Sequence, residues 1–409
     1  MNPHLMVRAD LKSMRGSAFA VIVLIAIAVA IGVALAAQER ALRHSSAMAS
    51  TDFDLLIGAP GSQTQLVMTS VYLQTEALPL INGSVLQQLA SDSRVADFAP
   101  IAFGDVVSGY PVVGTTLAFV SRWNKIAAPE EGRFFTAETE AIIGHDVNLT
   151  VGESLSPSHA IAGDFDHPGQ ASKSEAGHRH EHVSLMIVGR LPATGSPWDR
   201  AILIPIESVW KTHGLGTGHS ENGRIGLPFD ANVPPVPAIV VKPRTVPDAY
   251  ALRGAYRQGG TMAVFPAEVL VGLYRNLGDV KDVLIVASTL NTFLIFGAVT
   301  LIMLTLFSTR RRRYGILRAL GATRLYIVLV VWLDALVLIA IGCLTGLVFG
   351  WGLTGLVSAF FTQQTGLQLQ QSLTWSDISS VLMLLVGGSA ISTLPALAAY
   401  RIPISESIK

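Results

Sequence analysis

The 409 residues carry 29 basic and 29 acidic side chains, a formal net charge of zero, with 14% charged and 50% hydrophobic residues and a mean hydropathy of +0.47. Soluble domains average about 25% charged residues, so this balance excludes a purely soluble enzyme and a disordered chain, and the absence of a basic excess excludes a nucleic-acid binder. A single cysteine, Cys343, rules out a disulfide framework or a thiolate zinc cluster within one chain.

Residues 1–17 form a basic segment with Arg8, Lys12 and Arg15, expected to be cytoplasmic. The uncharged run 18–37 follows, long enough to cross a hydrocarbon core of about 30 Å as a helix. Backbone groups find no water in lipid, so apolar runs of this length are read as helices. The run ends in Ala34-Leu-Ala-Ala37, which is also a small-residue cleavage pattern; a removable signal peptide therefore stands beside a retained anchor, and the length of the span favours the anchor.

Residues 38–281 contain no cysteine and must hold together by packing. Short apolar runs at Asp54–Gly58, Leu185–Gly189 and Ala201–Pro205, bounded by Gly, Pro and Asp, predict strands. Ser84–Ser91 and Pro247–Gln258 have helical spacing. The expectation is a mixed α+β domain in two lobes divided near residue 130, with 214–237 an irregular loop rich in Gly, Asn and Pro.

Eight of the ten histidines fall between 145 and 219. In Gly177-His-Arg-His-Glu-His182 an extended backbone would put His178, His180 and His182 on one face, with His167 and several carboxylates near in sequence. Imidazole with carboxylate suits zinc or another divalent transition metal. A solvated loop without metal is the other reading of 159–182, because Gly, Ser, Lys and Gln are frequent there and no spacing matches a closed zinc site.

Three further apolar runs occupy 282–308, 326–350 and 378–400, separated by a basic segment at 309–325 and by 351–377, which has no Lys or Arg; the tail 401–409 carries Arg401 and Lys409. Basic loops stay in the cytoplasm. Both termini and 309–325 therefore fall inside, and 38–281 and 351–377 outside. The fold class expected is an α-helical membrane protein of four transmembrane helices with a large α+β extracytoplasmic domain inserted between helices 1 and 2. Asp334 is the ionisable group well inside the third run, where a structural role is favoured. Gly342, Gly346 and Gly350 recur every four residues and predict a groove for close helix packing.

The segment 309–325 reads Thr309-Arg-Arg-Arg-Arg-Tyr-Gly-Ile-Leu-Arg-Ala-Leu-Gly-Ala-Thr-Arg-Leu325. Tyr314, Leu317 and Leu320 or Gly321 recur at helical spacing and predict a short interfacial helix. Its Leu-Arg-Ala-Leu-Gly-Ala core resembles the FtsX-like, MacB-type permease subunits of bacterial ABC transporters. Pro395–Pro403 is similar to that family's closing segment. Gly132-Arg-Phe-Phe135, the region around Val151-Gly-Glu153 and Val188–Gly195 look like its periplasmic core domain.

The resemblance implies a permease of the inner membrane that converts ATP hydrolysis on a separate ATP-binding subunit into motion of its periplasmic domain, a mechanotransmission scheme. Ile316, Leu317, Arg318, Ala319, Leu320, Gly321 and Ala322 would dock on that subunit. The family often has Glu where this chain has Arg313, which leaves an acidic contact to the ATPase in doubt. A second permease copy is implied, most simply as a homodimer in membrane lipid, and a periplasmic substrate-binding or metal-binding protein is a further expected partner. The FtsX branch offers another reading, a non-transporting transmitter that activates a cell-wall hydrolase. No Gly-x-x-x-x-Gly-Lys-Ser/Thr phosphate loop occurs, so the chain is expected not to be an enzyme and to bind no cofactor beyond zinc or a similar metal at the histidine loop.

Overall fold

The computed structural model describes residues 3–365 and 374–393, apart from 14, 75, 157, 160–183, 222, 231, 274, 276–285, most of 287–299, 302–315 and 318–319. Contacts divide the chain into two units. One comprises Met1–Leu42, Leu277–Phe360 and Gln370–Lys409, the other Arg43–Asn276 with Phe361–Leu369.

The second unit is built on an 11-stranded mixed sheet. In chain order its strands are β1 (Leu55–Gly58), β2 (Val95–Val107), β3 (Tyr110–Thr115), β4 (Glu131–Gly132), β5 (Glu140–Ile143), β6 (Ser154–Leu155), β7 (Ser158–His159), β8 (Leu185–Arg190), β9 (Ile202–Pro205), β10 (Ala238–Pro243) and β11 (Met262–Val264). The main path runs β11-β1-β10-β2-β3-β9-β5-β8-β4. Helices α3 (Gln63–Tyr72), α4 (Ser84–Ser91), α5 (Leu117–Val120), α6 (Ile206–Thr212) and α7 (Val246–Ala255) belong to the same unit.

The sheet is covered on both faces, which explains why β1, β9 and the first four residues of β10 are continuously apolar rather than alternating. Leu55, Ile57, Ile239, Val241, Ile202 and Ile204 join one apolar cluster with Leu86 and Leu89 of α4, Val209 and Trp210 of α6 and Leu252 of α7. Their neighbours Leu56, Ala238, Val240 and Leu203 join the opposite cluster with Leu66, Val67 and Val71 of α3 and Phe119 and Val120 of α5.

The predicted strands appear at 55–58, 185–190 and 202–205, and the predicted helices at 84–91 and 246–255. The strand path differs from two lobes meeting near residue 130. β2 changes partner along its length, pairing residues 95–101 with β10 and residues 102–107 with β3, with a register shift between Phe103 and Asp105. Segments far apart in sequence, β1, β10 and β11, therefore lie at one end of the sheet, and the strands formed between residues 110 and 205 lie at the other. β2 and β3 are joined by Ser108-Gly109, at φ 51 and 80, the left-handed pair that a two-residue hairpin with the natural strand twist requires.

The first unit contains α1 (Pro3–Ser13), most of α2 (Arg15–Ala49), most of α8 (Arg324–Thr365) and α9 (Trp375–Ile391). α2 continues past residue 37 because Gln, Glu, Arg, Ala and Leu, good helix formers, follow the apolar run. Among the described residues, Arg15–Ala49 and Arg324–Thr362 are long and apolar enough to cross a membrane, and α9 is apolar but shorter. The expected span at 282–308 lies largely outside the described residues, as do 394–400 at the end of the fourth.

Candidate functional site

Residues 316–326 turn one helical segment into the next. Leu320 N–H donates to Ile316 O at 3.0 Å and Ala322 N–H to Leu317 O at 3.0 Å. Gly321 has φ +97, a conformation that strains any residue with a Cβ, and the six-residue hydrogen-bonded ring around it is a helix stop of the Schellman kind. Thr323 then starts α8, its Oγ1 accepting from Tyr326 N–H at 3.3 Å, as an N-cap does. The Leu-Gly-Ala-Thr sequence is thus a stop followed by a start.

This geometry separates residues that the helical periodicity groups together. Leu317 is half-buried against Ile327 and Val331, so it holds the turn onto α8. Ile316 and Leu320 are 52% and 77% exposed and present apolar surface outward. Gly321 is exposed and Ala322 half-buried. Arg318, Ala319 and the arginines at 310–313 lie outside the described residues.

Farther along α8, Gly342, Gly346 and Gly350 meet α2 at close range. A Cβ on Gly342 would stand 2.7 Å from Ile25 Cβ, on Gly346 2.7 Å from Ala26 O, and on Gly350 3.0 Å from Ala30 Cα. Val21, Ile25, Val29 and Val33 of α2 form a buried seam with Ala335, Leu338, Ile339 and Cys343 of α8. Asp334 is half-buried beside that seam. Trp332 Nε1 donates to Ser389 O of α9 at 3.1 Å.

Two polar links join the ends of these helices, and neither is legible from the apolar runs. Arg40 Nη2 of α2 lies 2.7 Å from both carboxylate oxygens of Asp377 in α9, whose side chain is 3% exposed. Thr374 and Asp377 also form a capping box; the Thr-x-x-Asp spacing before an apolar run is its sequence signal. Gln38 Nε2 donates to Thr354 O of α8 at 3.2 Å.

The histidines His167, His178, His180 and His182 lie outside the described residues, and among the described residues no three His, Cys, Asp or Glu side chains gather as a metal site would need. His145 Nδ1 is 3.1 Å from Glu130 Oε2. His219 Nε2 is 3.2 Å from Glu207 Oε1, with both side chains buried. Burial pushes the Glu207 carboxyl above its usual range, opposed by the Gly226 N–H and His219. This buried pair fastens the 214–237 loop to α6.

Among solved structures, the chain is similar to the periplasmic region of MacB from Actinobacillus actinomycetemcomitans, 9% identical, over 55% of this chain and 94% of that one, with a TM-score of 0.32. It is also similar to the extracellular domain of the noncanonic ABC-type transporter YknZ from Gram-positive bacteria, 9% identical, over 51% of this chain and 98% of that one, with a TM-score of 0.31. No curated protein matches. The FtsX-like permease C-terminal family model matches residues 285–404, a segment that contains the 316–322 turn, the glycine seam and α9.

Proposed function

We infer that this chain is the membrane permease subunit of an ABC transporter, driven by a separate ATP-binding subunit. The reading rests on the family match over 285–404 together with the exposed apolar pair Ile316 and Leu320 at the turn into α8. An apolar pair held on a capped turn is a rigid knob, and a rigid knob can pass a partner's movement into the helix that follows it. α8 is the helix that follows, and its glycine seam ties it to α2, the helix that leads into the mixed-sheet domain. In this scheme 38–281 is outside, the turn is in the cytoplasm, four helices span the membrane, and two permease copies work together.

Affinity purification of the chain with its ATP-binding partner tests the coupling. Leu320→Asp, at an exposed position, is expected to cut co-purification of the ATPase at least tenfold while leaving the permease at wild-type abundance in the membrane. Retention of the ATPase at wild-type yield would overturn the reading. Recovery of a cell-wall hydrolase on the mixed-sheet domain, with the ATPase also bound, would identify the chain as a transmitter rather than a transporter.

A further inference from the structure

A groove of about 450 Å³ lies on the mixed-sheet domain between α4, the end of α7 and the turn that leads into β11, within the size range of small-molecule sites. Ile81, Val85, Tyr256 and Thr261 line it with buried side chains. Asn82, Gln88 and Gln258 line it from exposed positions and Arg94 from a half-buried one. The groove thus pairs an apolar and aromatic floor with a polar border.

Several of these groups are held in place by the protein itself. Arg94 Nε and Nη2 donate to the two carboxylate oxygens of Asp92 at 2.9 and 2.6 Å, which fixes the guanidinium and leaves Nη1 without a partner among the described residues. Asn82 Oδ1 accepts from Ser84 N–H at 2.9 Å, so its NH2 group remains as a donor. Thr261 Oγ1 lies 2.8 Å from Tyr256 O and 3.1 Å from Gln258 O and ties down the turn in which Gly259 and Gly260 have φ +73 and +86. Side chains and turns already fixed lose less freedom when a ligand binds.

The border restricts the ligand's chemistry. Arg94 is the one Lys, Arg, Asp or Glu in the lining, and Asp92 balances its charge, so recognition falls to neutral hydrogen bonds. Asn82, Gln88 and Gln258 each offer a carbonyl acceptor and an NH2 donor, and Ser84 and Tyr256 each offer a hydroxyl. Hydroxyl groups also donate and accept, so a ligand dense in hydroxyls satisfies this border, whereas a wholly apolar one would strip it of water without replacement. The C–H face of a sugar ring leaves water when it meets a floor such as Val85 and Tyr256.

We propose that this groove binds a saccharide through its hydroxyl groups, one ring against Tyr256 and Val85 and its hydroxyls on Gln88, Gln258 and Arg94 Nη1. The site belongs to the mixed-sheet domain alone and stands whether or not the chain is coupled to an ATPase.

Saturation-transfer difference NMR on the full-length protein in lipid nanodiscs tests this, with empty nanodiscs as the blank. The probes are maltose, cellobiose and N,N′-diacetylchitobiose. Saturable binding of at least one of them is expected, with the strongest transfer to the protons of one ring. Ala255→Trp, at an exposed lining position at the end of α7, fills the groove and is expected to weaken that binding about tenfold. If that variant does not fold, Gln88→Trp fills the same space from α4. Gln88→Ala removes one amide from an exposed position and is expected to weaken binding several-fold at an unchanged melting temperature. No saturable binding by any of the three disaccharides, binding unchanged in a folded groove-filling variant, or binding unchanged in Gln88→Ala would overturn the proposal.

Discussion

Arg122 occupies an unusual place for a charge: it is 4% exposed, with its guanidinium carbon 4.8 Å from the Phe119 ring centroid and 4.9 Å from that of Trp198. Burial pushes the guanidinium below the usual arginine range, and Asp52 and Asp199 oppose that shift. Asp52 also has Lys125 at 2.6 Å, so removing Arg122 does not strand the carboxylate. Arg122→Met is therefore expected to leave thermal stability within about 1 kcal/mol of wild type or raise it, since an apolar side chain of similar length avoids the desolvation cost; a calorimetric melt of the intact protein checks this. At the surface the sign is opposite. The Arg133 hydrogen bond is the main cause that takes Glu140 from 4.5 down to about 2, with the Thr136 N–H helping. A folded pKa below the unfolded one gives stability that is complete above about 4.5 and is lost as pH falls toward 2. Glu140→Gln should flatten the acid side of the stability profile in that window, with little change in its slope above pH 6. Neither arrangement is legible in the sequence, because Arg122 meets the rings only after β1, α5 and the Pro197–Arg200 turn have been brought together.

Elements were legible where a single physical requirement dominated their residues. Leu55–Gly58 and Ile202–Pro205 are buried on both faces and therefore read as unbroken apolar runs. β2 escapes that reading because Asp97, Pro100, Gly104 and Asp105 interrupt it; its clearest local signal is the Ser108-Gly109 turn that follows. The glycine spacing on α8 pointed to close packing, but its partner could not be read, since any apolar helix would serve; the structure supplies α2. Gly346→Leu would drive a side chain into Ala26 O and Val29, and overpacking of this kind costs about 1–3 kcal/mol. The expected outcome is a lower melting temperature of the purified protein and faster proteolysis within α8, whereas Gly352→Leu, at a position with open space around its Cα, should be nearly neutral.

For the whole molecule, hydropathy marked two apolar runs that the structure shows as long helices and the large domain between them, while the boundaries were set by packing that composition does not encode. α2 and α8 extend well beyond their apolar cores, and one end of the mixed sheet, β11-β1-β10, is drawn from both ends of the domain's own sequence. The 316–322 motif was legible as a helical knob; that Leu317 faces inward while Ile316 and Leu320 face outward required the turn at Gly321. The account depends on that knob and the mixed-sheet domain lying on opposite sides of a membrane. Cys343 is buried, so Cys343→Ala gives a cysteine-free background in which Leu320→Cys and Ser84→Cys, both at exposed positions, can be labelled separately with a membrane-impermeant maleimide in spheroplasts. The prediction is immediate labelling at position 84 and labelling at position 320 only after permeabilisation; labelling of position 320 in sealed spheroplasts would contradict it.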